Sequence, residues 1–155
     1  MTAAVGTTKA FDALLVVHAL VAITSLVVLA VLGAAGAAAS NGAPLGAAAS
    51  RSFTGRVELA GRVVHLLPVS GVGLLAVSRG AYTTSTWFVV VGLVGWLATA
   101  GLLEGAAFPA QREVAVALAA GADARGAGTR MVRAVELAGV VLVAVAIVMI
   151  AGPFA

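Results

Sequence analysis

The chain has 155 residues, of which 62% are apolar and only 10% charged, with a net charge of +3 and no cysteine. A soluble domain usually carries about a quarter charged residues, and a fold of this length cannot hide so much apolar surface from water, so an integral membrane protein is expected. The missing cysteines exclude a disulfide framework, a cysteine zinc site and thiol catalysis. The basic residues stand singly between apolar runs, so no patch for nucleic acid forms.

Lys9 is the only lysine among nine basic residues, and Ala, Gly and Val dominate, a bias that suggests a bacterial source with a GC-rich genome. The first long apolar run covers 11–32, about 22 residues, enough for a hydrocarbon core of about 30 Å at 1.5 Å per residue. Lys9 before it and Ala37–Ala39 after it give it the outline of a signal peptide. The run exceeds a usual h-region, and we read it as the first membrane helix. Ala, Gly and Ser then fill 33–54, with Asn41-Gly42 and Pro44 marking a loop and alanine-rich flanks able to prolong the helices.

The second span is expected at 57–78, with a local bend at Pro68, since membrane helices tolerate an internal proline. The third is expected at 87–107, opening on Trp87 as an interfacial aromatic and disturbed or ended by Phe108-Pro109. Residues 110–120 read as a short helix, either at the cytoplasmic surface or prolonging the third span, and Gly121, Gly126 and Gly128 are expected to break it. The fourth span is expected at 132–150, closed by Gly152-Pro153. The fold class is therefore all-α, a single four-helix transmembrane bundle.

Lys and Arg counts orient the bundle. Arg51, Arg56, Arg62, Arg112, Arg125, Arg130 and Arg133 lie on one side, against Lys9 and Arg79 on the other. Both termini are thus expected outside the cytoplasm of a bacterial cell membrane. The pentapeptide V-E-L-A-G occurs at both Val57–Gly61 and Val135–Gly139. Each copy opens an even-numbered span, which suggests two tandem helical hairpins related by a parallel repeat.

Charge gathers at the cytoplasmic ends. Glu58 and Arg62 are spaced to pair within span two, Arg133 and Glu136 within span four, and Glu104 ends span three on the same side. Ionisable groups in a span face the bundle interior or a cavity, or snorkel to the interface. The set reads first as interfacial ion pairs fixing helix register, and second as a cation or proton entry site. His18 and His65, both in spans, raise a b-type haem as an alternative. Their depths differ by about 9 Å at 1.5 Å per residue, so hydrogen bonds to neighbouring helices suit them better. His18 shares a face with Ser25. Met131 and Met149 lie near opposite ends of span four and cannot share a copper ion. Gly71, Gly73, Gly92, Gly95, Gly101 and Gly105 read as packing positions. No P-loop, nucleophile elbow or H-E-x-x-H is present, so a soluble-type enzyme activity is not expected.

Four features carry a resemblance: His18 in span one, the Leu66-x-x-x-x-Gly71 stretch in span two, Pro109 followed by Arg112, and Met149–Pro153 at the end of span four. With them the chain resembles a widespread, uncharacterised bacterial family of four-helix integral membrane proteins. The resemblance implies the four-span architecture and nothing about activity. The residues point to a non-catalytic accessory or assembly subunit of a larger membrane complex, respiratory in the simplest case. Its partners are then the lipid bilayer and other membrane subunits, with no cofactor. The alternatives are a haem b or metal protein using His18 and His65, and a small transporter.

Overall fold

A computed structural model describes residues 9–42, 53 and 61–152. Every regular element among them is helical. In chain order these are α1 (Lys9–Ser40), a 3₁₀ turn (Arg62–His65) leading into α2 (Leu66–Val77), α3 (Trp87–Leu102), a π-helical turn (Leu103–Ala107), α4 (Phe108–Ala119) and α5 (Arg125–Ala151). Three helical stretches are long and apolar enough to cross a membrane: Lys9–Ser40, Trp87–Ala119 and Arg125–Ala151, of 32, 33 and 27 residues. The helical stretch Arg62–Val77 is shorter.

Close contacts fix the directions. Leu14 packs at Gly73, His18 at Gly71 and Leu32 at Gly61, so α1 and α2 are antiparallel. Val135 meets Gly33 and Val132 meets Gly36, which makes α5 antiparallel to α1. Met149 lies on Gly92 and Val145 on Gly95, which makes α3 antiparallel to α5. The helices alternate up and down. Their common core includes Leu32, Val64, Leu103, Phe108, Met131 and Ala138, all buried.

One end of the bundle is aromatic. Tyr82, in the turn after α2, stacks on Phe11 at 6.3 Å and meets Phe88 edge-on at 5.4 Å, with Trp87 against Phe88 at 6.0 Å. Gly152 closes on the same Phe88. The three long stretches measure about 48, 50 and 40 Å at 1.5 Å per residue, beyond the roughly 30 Å of a hydrocarbon core. Their ends coincide at the aromatic end, so the surplus emerges together at the other. There Ala39, Val114, Ala124 and Ala127 form a small second core.

Of the two outcomes expected at Phe108-Pro109, the structure shows the disturbance and not the end: the chain widens into the π turn just before the proline and then continues as α4. Pro109 has no N–H and would crowd the carbonyl four residues back in a regular helix. In the π turn the Phe108 N–H reaches instead to the Leu103 carbonyl, five residues back, which absorbs one extra residue. Residues 110–120 thus prolong the third helix. Of the three glycines expected to break it, only Gly121 does so, at φ +64°, while Gly126 and Gly128 lie inside α5. Pro68 is the third residue of α2, just after the 3₁₀ turn Arg62–His65.

Candidate functional site

The charged side chains singled out in the sequence meet where α2 begins and α3 passes into the π turn. The Arg62 Nε donates to Glu104 Oε1 at 3.1 Å and its Nη2 to Oε2 at 3.4 Å, a two-point grip on one carboxylate. His65 Nε2 lies 3.3 Å from the same Oε1. The His65 ring meets Trp96 edge-on at 6.1 Å, and the Arg62 guanidinium lies 5.9 Å over the Phe108 ring. The 3₁₀ turn places Arg62 and His65 on one side, three residues apart at three per turn, and the π turn presents Glu104 to both. All three are partly exposed, with side-chain exposures of 44%, 36% and 39%.

Not every expected member joins. Glu58, Arg51, Arg56, Pro44 and Pro153 lie outside the described residues. Arg133 and Glu136 are exposed on α5, and no ion pair joins them among the described residues. Two pairings were not foreseen. Arg130 pairs with Glu113 across α5 and α4, and α4 became visible as a neighbour of α5 only once the π turn carried the helix onward. His18 Nδ1 lies 2.8 Å from Ser70 Oγ, while that hydroxyl donates to its own helix at the Leu66 carbonyl, 2.9 Å away. Ser25, expected to share the work of His18, donates instead to Val21 O within α1. Ser70 was discernible in the sequence as a hydroxyl in an apolar span near the depth of His18.

Both histidines therefore bond to a neighbouring helix, and to different ones. His18 sits level with Ser70, five residues and about 7.5 Å along α2 from His65. A haem b held by both rings would require each to leave its partner. No group of three His, Cys, Asp or Glu side chains converges as metal ligands would, among the described residues. A shallow, open depression of about 400 Å³ runs along α4, lined by Arg112, Glu113, Val116, Ala117, Ala120 and Ala122, away from the Glu104 cluster.

The glycines divide into two sets. A methyl group at Gly95 would collide with Val145, at Gly128 with the Ser40 backbone, at Gly152 with Phe88 and at Gly61 with the Phe108 ring. Gly101, Gly105 and Gly139 have nothing within 4 Å of that position. Gly101 and Gly105 flank Glu104 and are exposed. Compared with known proteins, the chain matches no family model, no curated protein and no solved structure.

Proposed function

We propose that this chain is a four-span, non-catalytic protein of a bacterial cell membrane, serving as an accessory or assembly subunit of a larger membrane complex, with a respiratory complex as the fitting host. The apolar run 57–78 supplies the fourth span, of which α2 is the described part. Among described residues Arg62, Arg112, Arg125, Arg130 and Arg133 belong to the end opposite Lys9 and Arg79, which supports cytoplasmic placement of the charged end and both termini outside. Tandem hairpins are supported by matching outer faces. A shift of 78 residues takes the exposed Val69 and Val72 to the exposed Ile147 and Ile150.

The observation that carries the subunit reading is the Glu104 cluster on the lateral surface. With Trp87 at one interface, Glu104 lies 17 residues along, about 25 Å at 1.5 Å per residue in a core of about 30 Å. Ionised groups at that depth face protein or water rather than lipid tails. Among the described residues nothing lies within 4 Å of a methyl group placed at Gly101 or Gly105, which leaves room beside them for another helix. Arg62 holds the Glu104 carboxylate at two points, the geometry of a structural ion pair.

The test is purification in mild detergent after photo-cross-linking from position 97, beside Gly101 on the outer face of α3. One partner chain should cross-link there in stoichiometric amount and be lost in Gly101→Leu without change in thermal stability. A protein that emerges without any different chain bound, and gives no such cross-link, overturns the reading.

A further inference from the structure

We infer that the outward face of α5 is an interface between two copies of this chain. Arg133, Glu136, Val140, Val143, Ile147 and Ile150 are all exposed and recur at alternating spacings of three and four, the spacing of a coiled-coil seam. The four apolar members alone would suit lipid equally well. The two charged members decide the matter.

Elsewhere on the bundle, side chains bring charges together: Arg62 and His65 on Glu104, Arg130 on Glu113. Arg133 and Glu136 lie about a turn apart on the seam, and neither pairs with another described residue. Gly152 abuts Phe88 at the aromatic end, and Glu136 lies 16 residues from it, about 24 Å at 1.5 Å per residue. Both charges thus fall within or at the edge of a core about 30 Å thick, where lipid tails satisfy neither.

The face carries one cation and one anion, and so complements itself. Copies inserted in the same orientation and paired isologously are related by a two-fold axis along the membrane normal, which sets the same patch of each against the other. Each Arg133 then lies within a turn of the other copy's Glu136, an offset the long arginine side chain spans. Two reciprocal ion pairs satisfy all four charges, and Val140, Val143, Ile147 and Ile150 pack below them. A partner helix with charge of one sign would satisfy only half.

The chain's lack of cysteine makes single-cysteine cross-linking free of background. In full-length protein in membranes, Val140→Cys, Val143→Cys and Ile147→Cys should form disulfide dimers. The equally exposed Val72→Cys on α2 and Leu20→Cys on α1 should not. In the Val140→Cys background, Arg133→Glu and Glu136→Arg should each lower dimer yield at least fivefold, and the two together should restore it to within twofold. The Trp fluorescence melting curve of each variant checks folding. The proposal is overturned if Val140→Cys cross-links no more than Val72→Cys, if the double exchange fails to restore the yield, or if Val140→Cys captures only a different protein. The subunit reading concerns α3 and is tested at position 97, so either inference can fail while the other stands.

Discussion

Two glycines that look alike in the sequence should respond oppositely to alanine. In Gly128→Ala the new methyl would sit 2.6 Å from the Ser40 backbone nitrogen and 3.0 Å from the Ala39 carbonyl carbon and Cβ. Ordinary contact begins near 3.4 Å, so α1 and α5 must separate by about 0.8 Å, a gap that forfeits a quarter to a half of the dispersion well for each affected atom pair. Helix backbone faces helix backbone there, and neither can yield like a side chain. The end of α1 is also held: Gly42 caps it at φ +62°, with the Arg125 guanidinium packed over the turn. Overpacking of this kind costs about 2–3 kcal/mol. Alanine returns up to about 1 kcal/mol in helix propensity, leaving a net loss of about 1–2 kcal/mol. For a chain of this size that is a fall in Tm of roughly 3–6 °C. Gly101→Ala meets nothing and should leave Tm unchanged or slightly raised. Thermal unfolding in one detergent, followed by Trp87 and Trp96 fluorescence, compares the two directly. If Gly128→Ala matches the parent, or Gly101→Ala costs as much, the assignment of these glycines to inner and outer faces is wrong.

Removing one partner of the His18–Ser70 bond should cost more than removing both. Ser70→Ala leaves the imidazole without its partner and should lose about 1 kcal/mol, near the middle of the range for membrane hydrogen bonds, whereas adding His18→Leu should recover most of it; a double-mutant cycle by the same melting assay checks this. Glu104→Gln removes the charge shared by Arg62 and His65 on a partly exposed surface, so the loss should be at most about 1 kcal/mol. Its stronger signature should be a change in Trp96 emission as the His65 ring loses its anchor, and an unchanged spectrum would refute the contact. Deleting Ala106 should convert the π turn to regular α-helix with both flanks kept in register, since the turn absorbs one extra residue. Pro109 would then crowd the carbonyl four residues back, so the deletion should cost about 3 kcal/mol in the same melting assay, while Pro109→Ala should be tolerated within about 1 kcal/mol.

Apolar run length and charge placement made the helices legible in the sequence, because a span must satisfy its own backbone and exclude charge whatever it packs against. Trp87 at one end and Arg62 and Glu104 near the other followed from the same rule. The sequence left open whether 110–120 prolong the third helix, because a proline marks where a regular helix cannot pass and gives no sign that a π turn five residues long will carry it. The start of α5 was missed for a related reason. Gly126 and Gly128 lower helix propensity by about 1 kcal/mol each, yet the close approach to Ala39 and Ser40 requires glycine at 128. Local preference and tertiary contact pulled in opposite directions there, and contact prevailed. His65 was seen as a residue that would bond to a neighbouring helix, but its partner was beyond reach of any pattern, since Glu104 lies 39 residues away.

The repeated pentapeptide gives the proposed tandem hairpins a register in which the outer faces of α2 and α5 can be compared. A shift of 78 residues sets Arg62 and His65 against Val140 and Val143, and the structure exposes both pairs, partly in the first case and openly in the second. The glycine that ends each copy has diverged too. Gly61 is pinned by the Phe108 ring, with Leu32 close by and Arg62 over that ring, while Gly139 has nothing within 4 Å among the described residues. On α2 the outward positions are drawn sideways to Glu104 and join the hairpins to each other. On α5 the same positions are apolar and free, with the charge moved up to Arg133 and Glu136. If the hairpins are duplicates and α5 pairs with a second copy, as proposed, equivalent positions act within the chain in one hairpin and outward in the other.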